Sequence, residues 1–251
     1  MKRKLLIWDL DDTLIFTNIE FEKTNWSCAE IISKTIFGDN RAVNEILQRQ
    51  RKIDLELVSE YGFVRPRYLH SWLRTLEQFC KENEITPSGT VVQEVADNVE
   101  NLYVRKNENI PEALAVLKCL KEEGYSMVVL TAGDDEIQRK RVGEAGVLEF
   151  MDAVYVYPYK TPDTLKEVLA KYDGYICHMI GNSLKSDIHP ALENNIWGIH
   201  AIRDTWEADH FEIDSNHVFY RLVHNLAEIP GLLREIHDVN TVSYTVCDRE
   251  G

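Results

Sequence analysis

The chain has 251 residues, of which 44% are hydrophobic and 28% charged, which is typical of a globular protein with one large or two modest domains. Its formal net charge of -14 argues against nucleic acid or an anionic membrane surface as the main partner, because both require a basic footprint. The five cysteines are scattered without a C-x-x-C pair, and no segment reaches membrane-spanning length, so we expect reduced thiols in a cytoplasmic protein.

The first predicted element is a short strand followed by two carboxylates. Leu5–Trp8 are apolar, Asp9 and Asp11 come directly after them, and the hydroxyl of Thr13 lies two residues further on. Such a strand places both acids at the carboxyl edge of a sheet, where open α/β folds bind ligands. Two acids this close repel each other unless a cation lies between them. Asp12 is interpreted as a turn residue without a further role.

Residues 15–106 show helical periodicity and predict a small helical bundle. Gly38 and Gly62 are predicted to end its first two helices. The apolar faces of the four helices consist of Trp26, Ala29, Ile32 and Ile36; Val43, Ile46, Leu47, Leu57 and Val58; Tyr68, Leu69, Trp72, Leu73, Leu76 and Phe79; and Val91, Val92, Val95, Val99 and Leu102.

From Asn109 onwards, strands and helices alternate, which indicates a parallel sheet covered by helices on both faces. The predicted strands are Tyr125–Thr131, Ala153–Tyr157, Tyr175–Ile180 and, as the last, Trp197–Ile202, with helices around Leu114–Leu120 and at Glu136–Glu144, Thr164–Lys171 and Ser186–Asn194. We therefore predict an α/β core with a three-layer parallel sheet from residues 1–14 and 107–251, and an inserted all-helical cap from residues 15–106. For the polar tail Val239–Gly251, disorder and an additional strand are both left open.

Three further strand ends carry polar groups that the sheet would bring towards the two acids. They are Thr131 with Ala132 and Gly133 behind it, Lys160 after the third strand, and the run Gly181–Asp187 after the fourth. Each has an ordinary explanation by itself: a strand end for Thr131, a solvated lysine for Lys160 and a helix cap for Asp187. The functional interpretation depends on their convergence at one edge.

This set of residues, with the inserted cap and the order of the four motifs, resembles the haloacid dehalogenase superfamily of hydrolases, most of which are phosphatases. The resemblance covers the whole chain and implies a Rossmann-like core. It also implies a nucleophilic Asp9 that forms an aspartyl-phosphate, and Asp11 as general acid and base. Phosphate would be bound by the hydroxyl of Thr131, the backbone amide of Ala132 and the charge of Lys160.

The implied cofactor is Mg²⁺, a hard cation suited to oxygen ligands. Its expected ligands are the Asp9 carboxylate, the Asp11 backbone carbonyl and, in the fourth motif, Asn182 and Asp187. The family usually has Asp at the position of Asn182, and an amide oxygen brings no charge. We therefore expect Asp187 to matter more for the metal, directly or through water. The alternative is a catalytically weak protein that keeps the fold for binding.

Two other reactions compete with phosphate ester hydrolysis. A haloacid dehalogenase needs no carboxylate two residues after the nucleophile and no metal, so Asp11 and Asp187 favour the phosphatase. Phosphonate cleavage would require a cap lysine that forms a Schiff base, and nothing distinguishes one among Lys23, Lys34, Lys52, Lys81 and Lys106.

A closing cap favours a small phosphorylated metabolite as the substrate, because a lid excludes macromolecules and bulk water. Nucleotide monophosphates, sugar phosphates and phosphoglycolate-like acids all satisfy this condition. Arg65, Arg67 and His70 would contact an anionic or polar substrate if they faced the site, but we expect them on the solvated face of their helix. No residue pattern specifies the oligomeric state.

Overall fold

A parallel sheet forms the centre of the protein, whose computed structural model describes residues 3–203, 205 and 211–247, with the backbone alone for residues 239–247. Within this part of the chain the sheet has six strands in the order β3-β2-β1-β4-β5-β6, and all neighbouring strands run parallel. The strands are β1 (Lys4–Trp8), β2 (Ser126–Ala132), β3 (Ala153–Tyr157), β4 (Ile176–Gly181), β5 (Trp197–Ala201) and β6 (Tyr220–Val223). The predicted parallel α/β fold is confirmed.

Of the five helices between β1 and β2 in the chain, the first four pack around a hydrophobic cluster of their own. They are α1 (Asn18–Phe37), α2 (Val43–Tyr61), α3 (Arg65–Glu82) and α4 (Gly89–Val104). Gly38 ends α1 in the left-handed region, with φ of 76°, as the sequence predicts. The buried Trp72 and Phe79 of α3 lie in this cluster. We call these four helices the cap; its boundaries at residues 15 and 106 stay a prediction.

The remaining helices cover both faces of the sheet. They are α5 (Ala113–Glu122), α6 (Asp135–Glu144), α7 (Pro162–Leu169), α8 (His189–Glu193) and α9 (Ile229–Cys247). Alternate residues of β1 point to opposite faces, so Leu6 and Trp8 pack with α5 and α9, whereas Leu5 and Ile7 pack with α7 and α8. Each strand face is thus buried, which explains the continuous apolar run at the start of the chain.

The order of the strands places a crevice beside the end of β1. The chain proceeds from β1 through β2 to β3 on one side and continues with β4, β5 and β6 on the other. Strand order therefore reverses between β1 and β4, and this switch point is where open α/β sheets bind ligands. Asp9 continues β1 at this point, and its backbone N–H donates to the carbonyl of Ile180 at 2.9 Å.

Two sequence predictions about the fold are wrong, and one of the two alternatives for the tail is excluded as far as Cys247. Trp197–Ile202 is not the last strand, because β6 pairs with β5; its four residues are mostly half-exposed and lack an apolar run. The tail forms no additional strand up to Cys247, since α9 continues to that residue, and positions 248–251 lie outside the described residues. Trp26 does not belong to the buried apolar face of α1, because it is 52% exposed and its indole N–H donates to Glu30.

Among the described residues, no helix has both the length and the apolar character needed to cross a membrane.

Candidate active site

The polar strand ends converge at the carboxyl edge of the sheet. Lys160 Nζ lies 2.5 Å from Asp9 Oδ1 and 2.5 Å from Asp187 Oδ1. Thr131 and Asn182 line the same cavity as Asp9 and Lys160. Residues from the ends of β1, β2 and β4 and from the segment after β3 are thereby brought together, as the order of the motifs predicts.

Two buried carboxylates share one buried cation in this cluster. Burial raises the pKa of Asp187 to about 7 and also raises the pKa of Asp9, although Lys160 opposes both shifts. Burial by itself lowers the pKa of Lys160, but the carboxylates of Asp187 and Asp9 outweigh it and raise that pKa above its ordinary value. Lys160 therefore stays protonated. When both acids beside it are ionised, the cluster has one net negative charge, which attracts a further cation.

The position of Asp187 depends on a glycine. Asp187 Oδ2 accepts a hydrogen bond from the backbone N–H of Ser183 at 3.0 Å, and Oδ1 accepts from Lys160. The carboxylate occupies the space that a Cβ atom at Gly181 would need. Any larger residue at position 181 would displace it. Asp187 is thus held in place by protein groups at both of its oxygens.

Thr13 connects the first and fourth motifs. Its hydroxyl donates to Asp9 Oδ2 at 2.7 Å and accepts a hydrogen bond from the backbone N–H of Asn182 at 3.1 Å. The same hydroxyl lies 3.3 Å from Asn182 Oδ1. The side-chain oxygens of Asp9 and Asn182 therefore lie close to each other. The sequence motif includes this hydroxyl but does not predict its contact with the fourth motif.

Asp12 attaches the motif to the cap. Its φ of 57° is the left-handed backbone of a turn, in agreement with the sequence interpretation. Its carboxylate accepts hydrogen bonds from the backbone N–H of Thr17 at 2.9 Å and of Asn18 at 3.0 Å, where α1 begins. A carboxylate at a helix N-terminus satisfies free N–H groups there. The first cap helix is thus held by the residue next to Asp11.

The phosphate-binding prediction involves groups at the end of β2. Thr131 is buried, and its hydroxyl accepts a hydrogen bond from Gln138 Nε2 at 2.7 Å, so its own proton remains available to a ligand. The N–H of Gly133 donates to the carbonyl of Tyr157 at 2.8 Å and is therefore already paired. Ala132 lines the cavity beside Thr131.

The cap forms the opposite face of the cavity, which has a volume of about 200 Å³. Arg67 Nη1 lies 2.5 Å from Asp54 Oδ2, and only 6% and 8% of the two side chains are exposed. The prediction of a solvated face is therefore wrong for Arg67, because α3 turns this side chain towards α2 and the cavity. Arg65 also lines the cavity and pairs with Glu100, whereas His70 is exposed and lies outside it.

The cap also contacts the segment that carries Lys160. The N–H of Phe63, in the loop between α2 and α3, donates to the carbonyl of Pro158 at 3.3 Å. The hydroxyl of Tyr159 donates to the carbonyl of Val58, and the rings of Phe63 and Tyr159 pack edge to face at 5.8 Å. The cap is therefore held directly beside the lysine of the cluster.

Sequence reasoning missed two further residues of the site, Gln138 and Arg141 of α6. Both line the cavity, and both contact the carboxylate of Asp11. The sequence predicted their helix, but a polar residue on a helix looks the same whether it faces a site or solvent. Together these groups can bind an anion and a cation next to a buried carboxylate, and this combination suits displacement at phosphorus.

A family model for haloacid dehalogenase-like hydrolases matches residues 3–193 of this chain. Among curated proteins, a glyceraldehyde 3-phosphate phosphatase from Pyrococcus furiosus is 26% identical over 204 residues, which cover 75% of this chain and 76% of that protein.

Solved structures share the fold over most of the chain. A haloacid dehalogenase-like family hydrolase from Xanthomonas campestris is similar with a TM-score of 0.74 and 21% identity, covering 93% of this chain and 96% of its own. A putative hydrolase of the same kind from Bacillus subtilis, bound to magnesium, is similar with a TM-score of 0.60 and 15% identity over 93% of this chain and 99% of that one.

Proposed function

The chain belongs to the haloacid dehalogenase-like hydrolase family, and from this premise we propose that it is a magnesium-dependent phosphatase of small phosphate monoesters. The phosphatase activity of the Pyrococcus relative supports the reaction class, and the 200 Å³ cavity closed by the cap supports a small substrate. We also propose that it acts in the cytoplasm, since Cys28, Cys80, Cys119 and Cys177 are free thiols.

The observation that carries the proposal is the buried cluster of Asp9, Lys160 and Asp187, with Asp11 in the same cavity. In the first step, a carboxylate oxygen of Asp9 attacks phosphorus. The bond from phosphorus to the ester oxygen breaks, and Asp11 gives its proton to that oxygen, so that a neutral alcohol leaves. Lys160 and the hydroxyl of Thr131 offset and bind the charged phosphoryl oxygens.

In the second step, the aspartyl-phosphate on Asp9 is hydrolysed. The Asp11 carboxylate takes a proton from a water molecule while the water oxygen attacks phosphorus. The bond between Asp9 and phosphorus breaks, which releases inorganic phosphate and restores the Asp9 carboxylate. General acid and base assistance of this kind accounts for roughly 100- to 10,000-fold in rate.

The residues present fit a magnesium ion. The hydroxyl of Thr13 brings the side-chain oxygens of Asp9 and Asn182 together, and a hard cation prefers such oxygen donors. Asp9, the backbone carbonyl of Asp11 and Asn182 would hold it, and Asp187 would contribute directly or through water. When bound, magnesium supplies positive charge against the phosphoryl oxygens.

The competing reactions lack this support. A dehalogenase has no use for the Asp11 carboxylate, which lines the cavity beside Asp9. Lys160 is the only lysine among the described residues that line the cavity. The five cap lysines considered for phosphonate cleavage do not line it. A binding protein without turnover stays the second candidate, because Asn182 contributes no charge to the metal site.

The test is release of inorganic phosphate from p-nitrophenyl phosphate and short sugar phosphates with magnesium. We expect turnover that a chelator abolishes and added magnesium restores. We expect Asp9→Asn to fall to background, since an amide cannot attack phosphorus. Asp39→Asn, an exposed cap residue, is the matched control and should keep full activity. Turnover that survives in Asp9→Asn or in chelator would contradict the proposal, and absence of turnover in the wild type would favour the binding protein.

A further inference from the structure

Helix α6 directs two buried side chains at the carboxylate of Asp11. Gln138 Nε2 donates to Asp11 Oδ2 at 2.6 Å, and Arg141 Nη1 donates to Asp11 Oδ1 at 3.1 Å. Only 2% of Gln138 and 7% of Arg141 are exposed, whereas 28% of the Asp11 side chain is. Each oxygen of the carboxylate therefore has a fixed donor from one rigid element, although Asp11 itself lies in a loop.

The two donors are themselves held in place. Gln138 Nε2 lies 2.7 Å from the hydroxyl of Thr131 and 3.0 Å from the carbonyl of Ala132. Arg141 Nη1 also donates to Gln138 Oε1 at 3.2 Å. A Cβ atom at Gly133, whose φ is 144°, would lie 3.2 Å from the Gln138 side chain. Packing thus fixes the rotamer of Gln138, and this amide links Asp11 to the predicted phosphate-binding hydroxyl.

We propose that Gln138 and Arg141 are positioning residues for proton transfer by Asp11, a function that rests on the proposed phosphatase activity. They hold the Asp11 carboxyl group at a fixed distance from Thr131, so that the carboxyl proton is directed at the ester oxygen when the phosphoryl group is bound. Without them, the exposed side of Asp11 turns towards water. Orientation of a reacting group within about 1 Å is worth on the order of 100-fold in rate.

The leaving group separates this role from a structural one. An aliphatic alkoxide is a poor leaving group and requires the proton from Asp11, whereas 2,4-dinitrophenolate leaves without protonation. The value of kcat/KM reports the steps up to departure of the alcohol, which are the steps that need this proton. Loss of positioning therefore lowers kcat/KM for an alkyl phosphate much more than for the dinitrophenyl ester. A distorted cavity would lower both values alike.

The experiment measures kcat/KM of the wild type, Gln138→Met and Arg141→Met with glycerol phosphate and with 2,4-dinitrophenyl phosphate. We expect a fall of about 100-fold with glycerol phosphate and of no more than about 5-fold with the dinitrophenyl ester. Gln138→Met changes no charge and keeps the side-chain volume, so it remains informative if Arg141→Met folds poorly. Arg141→Lys should recover part of the loss.

Arg139→Met is the control on the same helix, because Arg139 is 51% exposed and pairs with Asp135 outside the cavity. It should match the wild type with both esters. Equal losses with both esters, or no loss in either variant, would overturn the positioning role while the phosphatase proposal stands. A wild type that hydrolyses neither ester would instead refute the proposed function and the positioning role with it.

Discussion

The two faces of the cavity are built in different ways. The core face consists mainly of residues at the ends of strands or just after them, such as Asp9, Thr131 and Asn182, with Gln138 and Arg141 added from α6. The cap face consists of residues within or next to helices, and it includes the Asp54–Arg67 ion pair. The topology of the sheet therefore determines which residues form the core face. The packing of the four cap helices determines which side chains form the cap face.

This difference predicts that the core face carries out the reaction and that the cap face selects the substrate. The core face holds the groups that would act on phosphorus, and they are common to every phosphate ester. The cap face meets the part of the substrate beyond the ester oxygen. Changes in the core face should therefore affect all substrates, and changes in the cap face should affect the stability of the cap and the choice among substrates. The following predictions test that comparison.

The largest expected effect is the loss of the cap ion pair. Arg67→Met leaves the Asp54 carboxylate buried without its counter-ion, and breaking such a pair typically destabilises a protein by about 3–5 kcal/mol. Asp54→Leu combined with Arg67→Met should recover most of this, since an apolar pair needs no charge compensation. Urea unfolding of the single and double variants measures both values.

Arg49→Met provides the comparison at the cap surface, because Arg49 pairs with Glu82, whose side chain is 51% exposed. It should change stability by less than about 1 kcal/mol. If Arg67→Met changed the free energy of unfolding as little as Arg49→Met, Arg67 would lie on a solvated face, as the sequence predicts.

The sequence predicted the core face well for a physical reason. Strand ends in a parallel sheet lie at one edge, so Asp9, Thr131 and Lys160 could be assigned to one place from their order alone. The hydroxyl of Thr13 was visible in the motif, but its contact with Asn182 depends on the pairing of β1 with β4. That pairing joins residues far apart in the chain, and no local pattern encodes it.

Helical positions were harder to assign than strand ends. Arg67 and Arg141 are charged residues on helices, and a charge on a helix normally indicates solvent. Here each side chain faces the cavity between the core and the cap. Sequence periodicity does not distinguish a helix face that lines such a cavity from one that faces solvent. The sequence does not predict the edge strand β6, because only Val223 of its four residues is buried. A run of hydrophobic residues is the main signal for a buried strand, and β6 lacks one.

The second prediction concerns the core face. Gly181→Ala forces the Asp187 carboxylate away from Lys160, because the new methyl group takes its place. We expect kcat to fall by about 100-fold for every phosphate ester, since a displacement of about 1 Å has that effect. Gly231→Ala in α9, where a methyl group meets nothing within 4 Å, should keep full activity. A loss confined to some substrates would show that core and cap faces do not divide the work as stated.

The smallest expected effect is an unequal response of the two regions to acid. His178 lies fully buried in β4, and burial, with His237 beside it, lowers its pKa to about 3. The unfolded chain binds this proton near pH 6.5, so between these values the unfolded state holds more protons and stability falls as the pH falls, by about 1.4 kcal/mol per unit. In the cap, burial raises the pKa of Asp54, so protonation there favours the folded state.

Protonation of His178 should therefore destabilise the folded core in acid, whereas the raised pKa values of Asp187 and Asp9 act in the opposite direction. Urea unfolding at pH 7 and pH 5 should show a smaller loss of stability in His178→Leu than in the wild type, by about 2 kcal/mol. His224→Leu replaces an exposed histidine and should keep the full loss. If His178→Leu and the wild type lost the same stability, acid sensitivity would lie outside β4, and the strand beneath the core face would be no more sensitive to protons than the helices opposite.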